Sequence, residues 1–308
     1  MPEPVHIRAH AKLNLALSVG TPIPEGESGA GMHPIASWMV ALRLADDLAY
    51  TPGDDEAGVQ LRRAWADDAP RNAALGWLPE TDLCVRAVNR LGGHIRRRLG
   101  ATIDLRKRIP VGGGLGGGSS DAAATLIAAN RAHALGLSLD ELAIIGAGLG
   151  SDVPYFIDEH AERGGPPAPA LVEGLGDRIE RVATTPAAIV LCLPSFGCDT
   201  ADVYRAFDDA PVTLDEAAVA AMAFAGDVHK AELFNDLFEP ARRVEPQLGD
   251  IWKQIRRASN RRVYLSGSGS TLFLVADDPD HAERLASSLA LHVSGVSFVA
   301  TTTEDPTQ

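Results

Sequence analysis

The sequence has no apolar run approaching the roughly 20 residues that a membrane-spanning helix requires. Its first ten residues, MPEPVHIRAH, lack the basic-then-apolar layout of a signal peptide. Its three cysteines cannot all pair with one another, and their spacing matches no metal-binding pattern. These features predict a protein of the reducing cytoplasm that has no membrane partner.

Positive charge is also scarce, because 41 acidic residues outweigh 28 basic ones and leave a formal net charge of −13. Nucleic-acid backbones need a basic footprint on the protein, so we expect no nucleic-acid partner. The short basic runs at Arg96–Arg98 and Arg261–Arg262 are typical of solvated helix faces. An acidic protein that binds a phosphorylated ligand therefore needs a local feature that offsets the repulsion.

The amino-terminal segment alternates between apolar or small residues and polar residues from Val5 to Val19. A period of two over this length predicts an extended strand, or two strands broken near the middle. The alternation places the side chains of His10, Lys12 and Asn14 on the face opposite the apolar side chains.

The remaining sequence mixes helix and strand patterns. Strands are predicted at 39–50, 103–109, 188–193, 263–265, 271–276 and 296–300, and helices at 82–99, 121–135, 214–225, 228–238, 248–259 and 280–291. Ser138 and Glu141 form a capping box that opens a further helix, whereas 53–70 is polar and turn-rich. The sequence GGPPAPA at 164–170 breaks any regular element. We therefore predict an α+β protein with domains at 1–165 and 166–300 and a frayed tail at 301–308.

The most informative segment is the glycine loop, which we define as Pro110–Ser120, PVGGGLGGGSS. Glycine loses more backbone entropy on folding than any other residue, so six glycines in seven positions need a reason. Glycines let backbone N–H groups approach a ligand closely, and the helix predicted to follow, capped by Ser119 or Ser120, adds its free amides and positive dipole end. The loop therefore predicts a phosphate-binding site.

Other nucleotide-binding loops fit the segment less well. A Walker A loop would have Gly-Lys-Ser/Thr after the glycines, and none is present. A dinucleotide-binding fingerprint would have an acidic residue closing a second strand about twenty residues further on, which is also missing. A dehydrogenase is therefore disfavoured.

Three motifs together resemble the GHMP kinase superfamily, which includes galactokinase, homoserine kinase and mevalonate kinase. They are AKLNLAL near the start, PVGGGLGGGSSDAAATL in the centre and YLSGSGSTLFLV near the end. With GLGSDVPYF, the first two are most similar to the subfamily that phosphorylates 4-diphosphocytidyl-2-C-methyl-D-erythritol, a precursor in non-mevalonate isoprenoid synthesis. The resemblance runs in blocks from about Ala11 to Val275.

The resemblance implies a fold of two lobes, with an amino-terminal domain like ribosomal S5 domain 2 and a ferredoxin-like split βαβ carboxyl-terminal domain. It also implies ATP and Mg²⁺ as cofactors, bound to the glycine loop, with the metal near Ser119 and Ser120. The residues implied to bind ATP are Pro110, Gly112, Gly113, Gly114, Gly116, Gly117, Gly118, Ser119 and Ser120. Composition does not give the oligomeric state, for which we expect a monomer or a weak homodimer.

The resemblance also assigns two catalytic residues. Asp152, in GLGSDVPYF, is implied to be the base that accepts the proton of the acceptor hydroxyl. Lys12 is implied to lie beside that aspartate, to hold it ionised and to steer the hydroxyl, which would lie between the two residues in the cleft between the domains. Phosphoryl transfer relies mainly on such positioning and charge neutralisation.

The expected substrate contacts are Asn14 on the first strand, Ser266 and Gly267 in the SGSGS loop, and His33 with Phe196 around the cytosine. The cytidylyl subfamily normally has Asp-Gly-Tyr-His after the first strand, where this sequence has Ala30-Gly31-Met32-His33. His33 is retained, but Met32 replaces the aromatic ring that would stack on cytosine, so Phe196 is a candidate for one wall. Asp82 also stands where the family more often has Asn near adenine.

Two alternatives remain open from the sequence. Another GHMP kinase, acting on homoserine or mevalonate, is favoured by the missing ring but disfavoured by GLGSDVPYF. A catalytically silent ATP-binding module is disfavoured because both Lys12 and Asp152 are present.

Overall fold

The structure is a computed structural model that describes residues 2–71 and 74–306. The strands among these residues are β1 (Val5–Val19), β2 (Ile35–Gly53), β3 (Val59–Trp65), β4 (Gly100–Lys107), β5 (Ala170–Gly174), β6 (Arg178–Arg181), β7 (Ala188–Pro194), β8 (Phe234–Asn235), β9 (Tyr264–Leu265), β10 (Leu272–Ala276) and β11 (Val296–Glu304). The helices are α1 (Leu83–His94), α2 (Gly117–Ala132), α3 (Leu139–Ala147), α4 (Glu159–Glu162), α5 (Thr200–Asp208), α6 (Glu216–Ala225), α7 (Phe238–Val244), α8 (Pro246–Ser259) and α9 (Pro279–His292). The mixture of helices with mainly antiparallel strands is the predicted α+β class.

The chain divides into two compact units, and neither is continuous in sequence. Unit 1 consists of Met1–Ala11, Leu44–Ile109 and Gly116–Pro167, and unit 2 consists of Lys12–Arg43, Pro110–Leu115 and Ala168–Gln308. The break after Pro167 lies close to the predicted domain boundary. The segments 12–43 and 110–115, however, lie within the predicted first domain and belong to unit 2.

In unit 1, β4 lies between the carboxyl-terminal part of β2 and β3. It pairs antiparallel with β2 from Asp47–Arg106 to Gly53–Gly100, and parallel with β3. Helix α2 is buried along most of its length, in keeping with its Ala-rich sequence. The structure corrects the turn-rich prediction for 53–70, because β3 lies there. Its alternation of Val59 and Leu61 with Gln60 and Arg62 is a short strand pattern.

In unit 2, β7 is paired antiparallel with both β10 and β11, and β10 also pairs with β9. β2 pairs antiparallel with β5 over Ile35–Met39, and β8 runs parallel to β1 at Ala16–Leu17. The hydrophobic core joins these strands to helices α5, α7, α8 and α9, and includes Val190, Leu274, Phe207, Ile255 and Leu289.

Two further predictions in unit 2 are wrong. The residues 301–304 of the predicted tail are the last part of β11, where Thr303 and Glu304 pair with Leu42 and Ala41 of β2. Their backbone groups are thereby satisfied, and threonine suits a strand. The predicted helix at 228–238 is instead a turn followed by β8 and the start of α7.

Strand β1 forms as predicted, but its polar face is buried. His10, Lys12 and Asn14 are exposed by only 4%, 4% and 2%. A lysine that is buried to this degree needs partners within the protein, because burying an unpaired charge is strongly unfavourable. The polar face of β1 is therefore the first indication of where a functional site lies.

No helix among the described residues is both long enough and apolar enough to cross a bilayer.

Candidate active site

The glycine loop falls in both units, with Pro110–Leu115 in unit 2 and Gly116–Ser120 in unit 1. Gly112, Gly114 and Gly116 have φ values of +70°, +75° and +70°, a region that side chains disfavour. At Gly114 a Cβ atom would also lie 2.2 Å from the carbonyl oxygen of Ser266. Both the left-handed backbone and this close approach therefore require glycine at position 114.

Helix α2 begins at Gly117, and its N-cap, Gly116, provides no side-chain cap. The prediction that Ser119 or Ser120 caps this helix is wrong, because both residues lie within its first turn. The amides of Gly117, Gly118 and Ser119 precede the first helical hydrogen bond, from Ser120 N–H to Gly116 O. Such an uncapped helix start directs N–H groups and a positive dipole end at an anion, so these residues fit the phosphates of ATP.

The side-chain donors for Mg²⁺ on the first turn of α2 are the hydroxyl groups of Ser119 and Ser120. Ser119 is half-buried, and Ser120 is buried. Among the described residues, no cluster of three or more His, Cys, Asp or Glu side chains could hold a metal. Magnesium commonly takes few protein ligands and completes its octahedron with phosphate oxygens and water, so this donor set fits Mg²⁺ bound together with a nucleotide.

Lys12 and Asn14 are connected by a chain of buried hydrogen bonds in unit 2. Lys12 Nζ donates to Asn14 Oδ1 at 2.5 Å, and Asn14 Nδ2 donates to Ser37 Oγ at 2.8 Å. Ser37 Oγ in turn donates to the Ala16 carbonyl at 2.8 Å. The backbone N–H of Lys12 also donates to Leu115 O of the glycine loop, at 2.9 Å. These hydrogen bonds hold the side chain of Lys12 and its backbone in place beside Pro110–Leu115.

The SGSGS loop, Ser266–Ser270, contacts the same half of the glycine loop. Ser266 Oγ donates to Gly114 O at 3.0 Å, and the N–H of Thr271 donates to Gly113 O at 3.1 Å. The side-chain amide of Asn235 supports this loop by donating hydrogen bonds to Leu265 O and Gly267 O. The SGSGS loop and the glycine loop are therefore in direct contact. A Cβ built on Gly267 would lie 3.4 Å from Lys12 Nζ and 3.5 Å from Asn14 Oδ1.

Asp152 lies in unit 1, in a turn between α3 and a 3₁₀ helix at Pro154–Phe156. The turn is closed by a hydrogen bond from the Val153 N–H to Gly150 O at 3.1 Å. A Cβ built on Gly150 would lie 3.8 Å from Ser119 Oγ. The turn that carries Asp152 therefore packs next to the first turn of α2.

His33 is held by residues of α5. Its Nε2 atom lies 2.7 Å from Asp208 Oδ1, and its ring lies 4.8 Å from that of Tyr204. Met32, in contrast, is 46% exposed. Phe196 packs against the unit 2 core, and its carbonyl accepts a hydrogen bond from Ser270 Oγ. The aromatic rings that lie against His33 are those of Tyr204 and, at 6.0 Å, of the buried Phe207, and Tyr204 is the nearer of the two.

Several polar or aromatic residues at these places were not predicted from the sequence. Tyr204 and Asp208 lie on α5, which was not predicted, although its apolar residues Val203 and Phe207 are four apart. Asn235 lies in β8, where a helix was expected. Asp82 caps α1 through the Cys84 N–H and also accepts from Arg63 and Trp77, so its role as seen here is structural.

Unit 2 therefore brings together Lys12, Asn14, Gly113, Gly114, Ser266 and Gly267. It places His33 separately, with Tyr204. Unit 1 brings Gly116–Ser120 close to the turn that contains Asp152. The catalytic and binding roles of these residues remain predictions.

Comparison with known proteins points to one family. Residues 82–159 match the GHMP kinases N terminal domain, and residues 217–294 match the GHMP kinases C terminal domain. The chain is 34% identical to 4-diphosphocytidyl-2-C-methyl-D-erythritol kinase of Thermobifida fusca (strain YX), with 99% of this chain and 97% of the relative covered. It is 36% identical to the kinase of the same name from Nocardioides sp. (strain ATCC BAA-499 / JS614), with 92% of each covered.

Solved structures agree with these sequence relatives. A crystal structure of 4-(cytidine 5'-diphospho)-2C-methyl-D-erythritol kinase superimposes with a TM-score of 0.72 at 31% identity, covering 97% of this chain and 100% of that one. Homoserine kinase from Cytophaga hutchinsonii superimposes with a TM-score of 0.65 at 15% identity, covering 99% of this chain and 96% of that one. The second likeness extends to the fold alone.

Proposed function

Because the chain belongs to the GHMP kinase family, we propose that it transfers the γ-phosphate of ATP to the 2-hydroxyl of 4-diphosphocytidyl-2-C-methyl-D-erythritol. The observation that carries the substrate assignment is the near-full-length identity of 34% and 36% to relatives with that name. The structural neighbour of the same name, at a TM-score of 0.72, supports it.

The glycine loop would bind the triphosphate of ATP. The uncapped amides of Gly117, Gly118 and Ser119 supply N–H donors and the positive end of the α2 dipole. These groups locally offset the net charge of −13, which would otherwise repel the nucleotide. Mg²⁺, held by phosphate oxygens and the hydroxyls of Ser119 and Ser120, would neutralise charge on the transferred group.

Asp152 would accept the proton of the acceptor hydroxyl as that oxygen attacks phosphorus. Its turn lies between α3 and the 3₁₀ helix and is closed by a backbone hydrogen bond, which supports a fixed position for the carboxylate. Lys12 would orient the hydroxyl and stabilise negative charge. Its hydrogen bond to Asn14, which is itself held by Ser37, limits the rotamers open to its ammonium group and supports such a role.

His33 and Tyr204 would bind the cytosine ring. Asp208 fixes the orientation of the His33 ring, and Tyr204 supplies the flat aromatic surface that position 32 lacks. Ser266, Gly267 and Asn14 would contact the remaining polar part of the substrate. Phe196 stays a second candidate for the aromatic wall.

The cellular setting follows from the same proposal. We infer that the protein works in the cytoplasm, because the three cysteines of the chain are buried and unpaired, as expected in a reducing compartment. We propose a monomer or a weak homodimer.

The test is ADP release from Mg-ATP with three acceptors in parallel: 4-diphosphocytidyl-2-C-methyl-D-erythritol, homoserine and mevalonate. Turnover with the cytidylyl substrate alone supports the proposal. Turnover only with another alcohol would keep the kinase chemistry and reject the substrate. The absence of turnover with any acceptor, despite ATP binding, would indicate a silent binding module.

The role of Asp152 is tested by Asp152→Asn. We expect turnover to fall about 100-fold or more, because a general base contributes roughly 10²–10⁴ to the rate, while the affinity for ATP stays close to that of the wild type. Asn preserves the size of the side chain, so near-normal turnover would remove Asp152 from the mechanism.

A further inference from the structure

A buried charge cluster lies behind the glycine loop, outside the residues assigned to catalysis or substrate binding. It consists of Asp46 on β2, Lys107 at the end of β4 and Asp121 on α2, and we refer to it as the loop-base cluster. Their exposed fractions are 0%, 3% and 4%. All three residues belong to unit 1.

The contacts within the loop-base cluster are short and specific. Lys107 Nζ donates to Asp46 Oδ2 at 2.5 Å and to Asp121 Oδ2 at 2.6 Å. Asp46 Oδ1 accepts the backbone N–H groups of Arg108 and Ile109, the second of these at 2.8 Å. One carboxylate therefore holds both the side chain of Lys107 and the two residues that lead into Pro110.

The cluster joins the two ends of the glycine loop. Arg108 and Ile109 immediately precede the loop, whereas Asp121 immediately follows Ser120 and lies in the second turn of α2. The chain between Ile109 and Asp121 is rich in glycine, so its shape depends on contacts with residues outside the loop. A bridge from Asp46 through Lys107 to Asp121 sets the separation of its ends.

Such an arrangement is unfavourable as a source of stability alone. Two carboxylates and one ammonium group are removed from water, and a buried ion pair often stabilises no more than an apolar replacement of the same size. Asp121 Oδ1 has no hydrogen-bond partner among the described residues. An incompletely satisfied buried group of this kind indicates a functional constraint.

We propose that the loop-base cluster positions the phosphate-binding amides of Gly117–Ser119, with Asp121 and Lys107 acting as positioning residues for the nucleotide. The inference rests on the proposed function only in that the ligand is a nucleoside triphosphate or diphosphate. We expect these residues to affect the affinity for the nucleotide and to have no effect on recognition of the acceptor.

The decisive variant is Asp121→Ala, which cuts the bridge to α2 and leaves Lys107 paired with Asp46. The conservative variant is Asp121→Asn, which keeps an oxygen that accepts from Lys107. The matched control is Tyr50→Phe: it removes the 2.9 Å hydrogen bond between Tyr50 of the same strand β2 and His133 at the opposite end of α2. Calorimetric titration with Mg-ADP and with a non-hydrolysable Mg-ATP analogue measures the affinity, and thermal unfolding without ligand measures stability.

We expect Asp121→Ala to weaken nucleotide binding about tenfold or more, because displacement of positioned groups by an ångström has effects of this order. Asp121→Asn should stay within about threefold of the wild type, and Tyr50→Phe should lower the unfolding midpoint without changing affinity. With turnover, the KM for ATP should rise and the KM for the acceptor should not. Wild-type affinity in a folded Asp121→Ala protein would overturn the proposal, as would an equal loss of affinity in Tyr50→Phe.

If Asp121→Ala does not fold, Asp121→Leu makes the same cut while filling the space, and the same outcomes decide. The two proposals fail separately. A wild-type protein that binds the nucleotide but phosphorylates none of the three acceptors rejects the proposed function and leaves this affinity test intact. A wild-type protein that binds neither nucleotide rejects both.

Discussion

At the scale of single residues, the candidate active site contains polar side chains that are buried within the protein. Lys12 and Asn14 are each less than 5% exposed and are hydrogen-bonded to one another. Burying the Lys12 ammonium group has an unfavourable desolvation cost, which its hydrogen bond to Asn14 partly offsets, and Ser37 in turn holds Asn14. The side chain is thereby held ready for a substrate, as preorganised electrostatic stabilisation requires.

Tyr204 provides a prediction at this scale. Replacing it with Leu removes the aromatic ring beside His33, and we expect the KM for 4-diphosphocytidyl-2-C-methyl-D-erythritol to rise about tenfold, since base–aromatic stacking contributes roughly 1–3 kcal/mol. Tyr204→Phe keeps the ring and should have a small effect. Steady-state kinetics with each substrate varied in turn measures both values.

Phe196→Leu is the control for this experiment, because Phe196 packs against the unit 2 core. It should lower stability and leave the acceptor KM nearly unchanged. The opposite pattern, with a large KM effect at Phe196 and none at Tyr204, would make Phe196 the stacking residue.

At the scale of elements, the glycine loop and the SGSGS loop form a pair that must fit closely. Ser266 Oγ and the Thr271 N–H both donate to carbonyls of the glycine loop. The backbone of one loop is therefore the packing surface of the other, with no side chain between them at Gly114. The strand β1 joins this pair through the Lys12 N–H and Leu115 O.

Gly114→Ala tests this fit. The added methyl group would lie 2.2 Å from Ser266 O, so the loop would have to move to remove the clash. Residue 114 also has a φ of +75°, where an alanine is strained. A strained backbone of this type is unfavourable by roughly 1–3 kcal/mol. We expect loss of ATP binding and a lower unfolding midpoint, measured by titration and by differential scanning calorimetry.

Gly136→Ala is a suitable comparison, because Gly136 has a φ of +69° but no atom within 4 Å of an added Cβ. It introduces the same backbone strain without the clash. If both variants lose ATP binding equally, the close approach of the two loops is not what position 114 contributes.

The carboxyl-terminal strand gives a second prediction for elements. Deleting residues 301–308 removes the pairs of Thr303 and Glu304 with β2, and with them the hydrogen bonds that join the Thr303 N–H to Ala187 O and the Ala187 N–H to Thr303 Oγ1. At about 1 kcal/mol for each lost hydrogen bond, we expect the free energy of unfolding to fall by about 3 kcal/mol or more. Urea denaturation measures the change.

Thr303→Val supplies an intermediate point in that series. It keeps the β-branched shape of the strand and removes only the hydroxyl that accepts from Ala187 N–H. We expect about 1 kcal/mol of destabilisation. An unchanged midpoint after the full deletion would mean that residues 301–308 contribute nothing to stability.

At the scale of the whole molecule, the three cysteines report on both units. Cys84 belongs to unit 1, and Cys192 and Cys198 belong to unit 2. Burial raises the pKa of the Cys198 thiol to about 11, with a smaller contribution from Glu245, and raises the pKa values of Cys84 and Cys192 well above the usual range. Since the thiolate is the nucleophile, these thiols are unreactive near neutral pH.

We therefore expect no fast reaction with a disulfide reagent in the native protein at pH 7.5, where fewer than about one Cys198 thiol in a thousand is ionised. The reactivity of the Cys198 thiol should rise as the pH approaches 11, because more of it is then ionised. All three thiols should react in denaturant. Absorbance of the released thiolate counts them, and one rapid native equivalent would show that a cysteine lies closer to solvent than the structure places it.

The sequence by itself determined features that depend on local pattern. The alternation of Val5–Val19 gave strand β1, and Ser138 with Glu141 gave the capping box of α3. The glycine loop, its resemblance to GHMP kinases and the α+β class were also readable, because glycine-rich backbone and motif order are properties of the chain itself. The family comparison confirmed the resemblance.

Only the tertiary structure decided what depends on distant partners. Periodicity placed Lys12 on a polar face, but burial of that face follows from chain segments far away in sequence. It could not show that Lys107 joins Asp46 to Asp121, 61 residues before and 14 residues after it. Nor could it place Tyr204 beside His33, because α5 and the loop that contains His33 lie far apart in the chain. Local sequence determines the backbone preference of a segment and the alternation of its side chains. Desolvation, charge pairing and ring contacts depend on packing between segments that are distant in the chain, and local sequence does not show which of these segments meet.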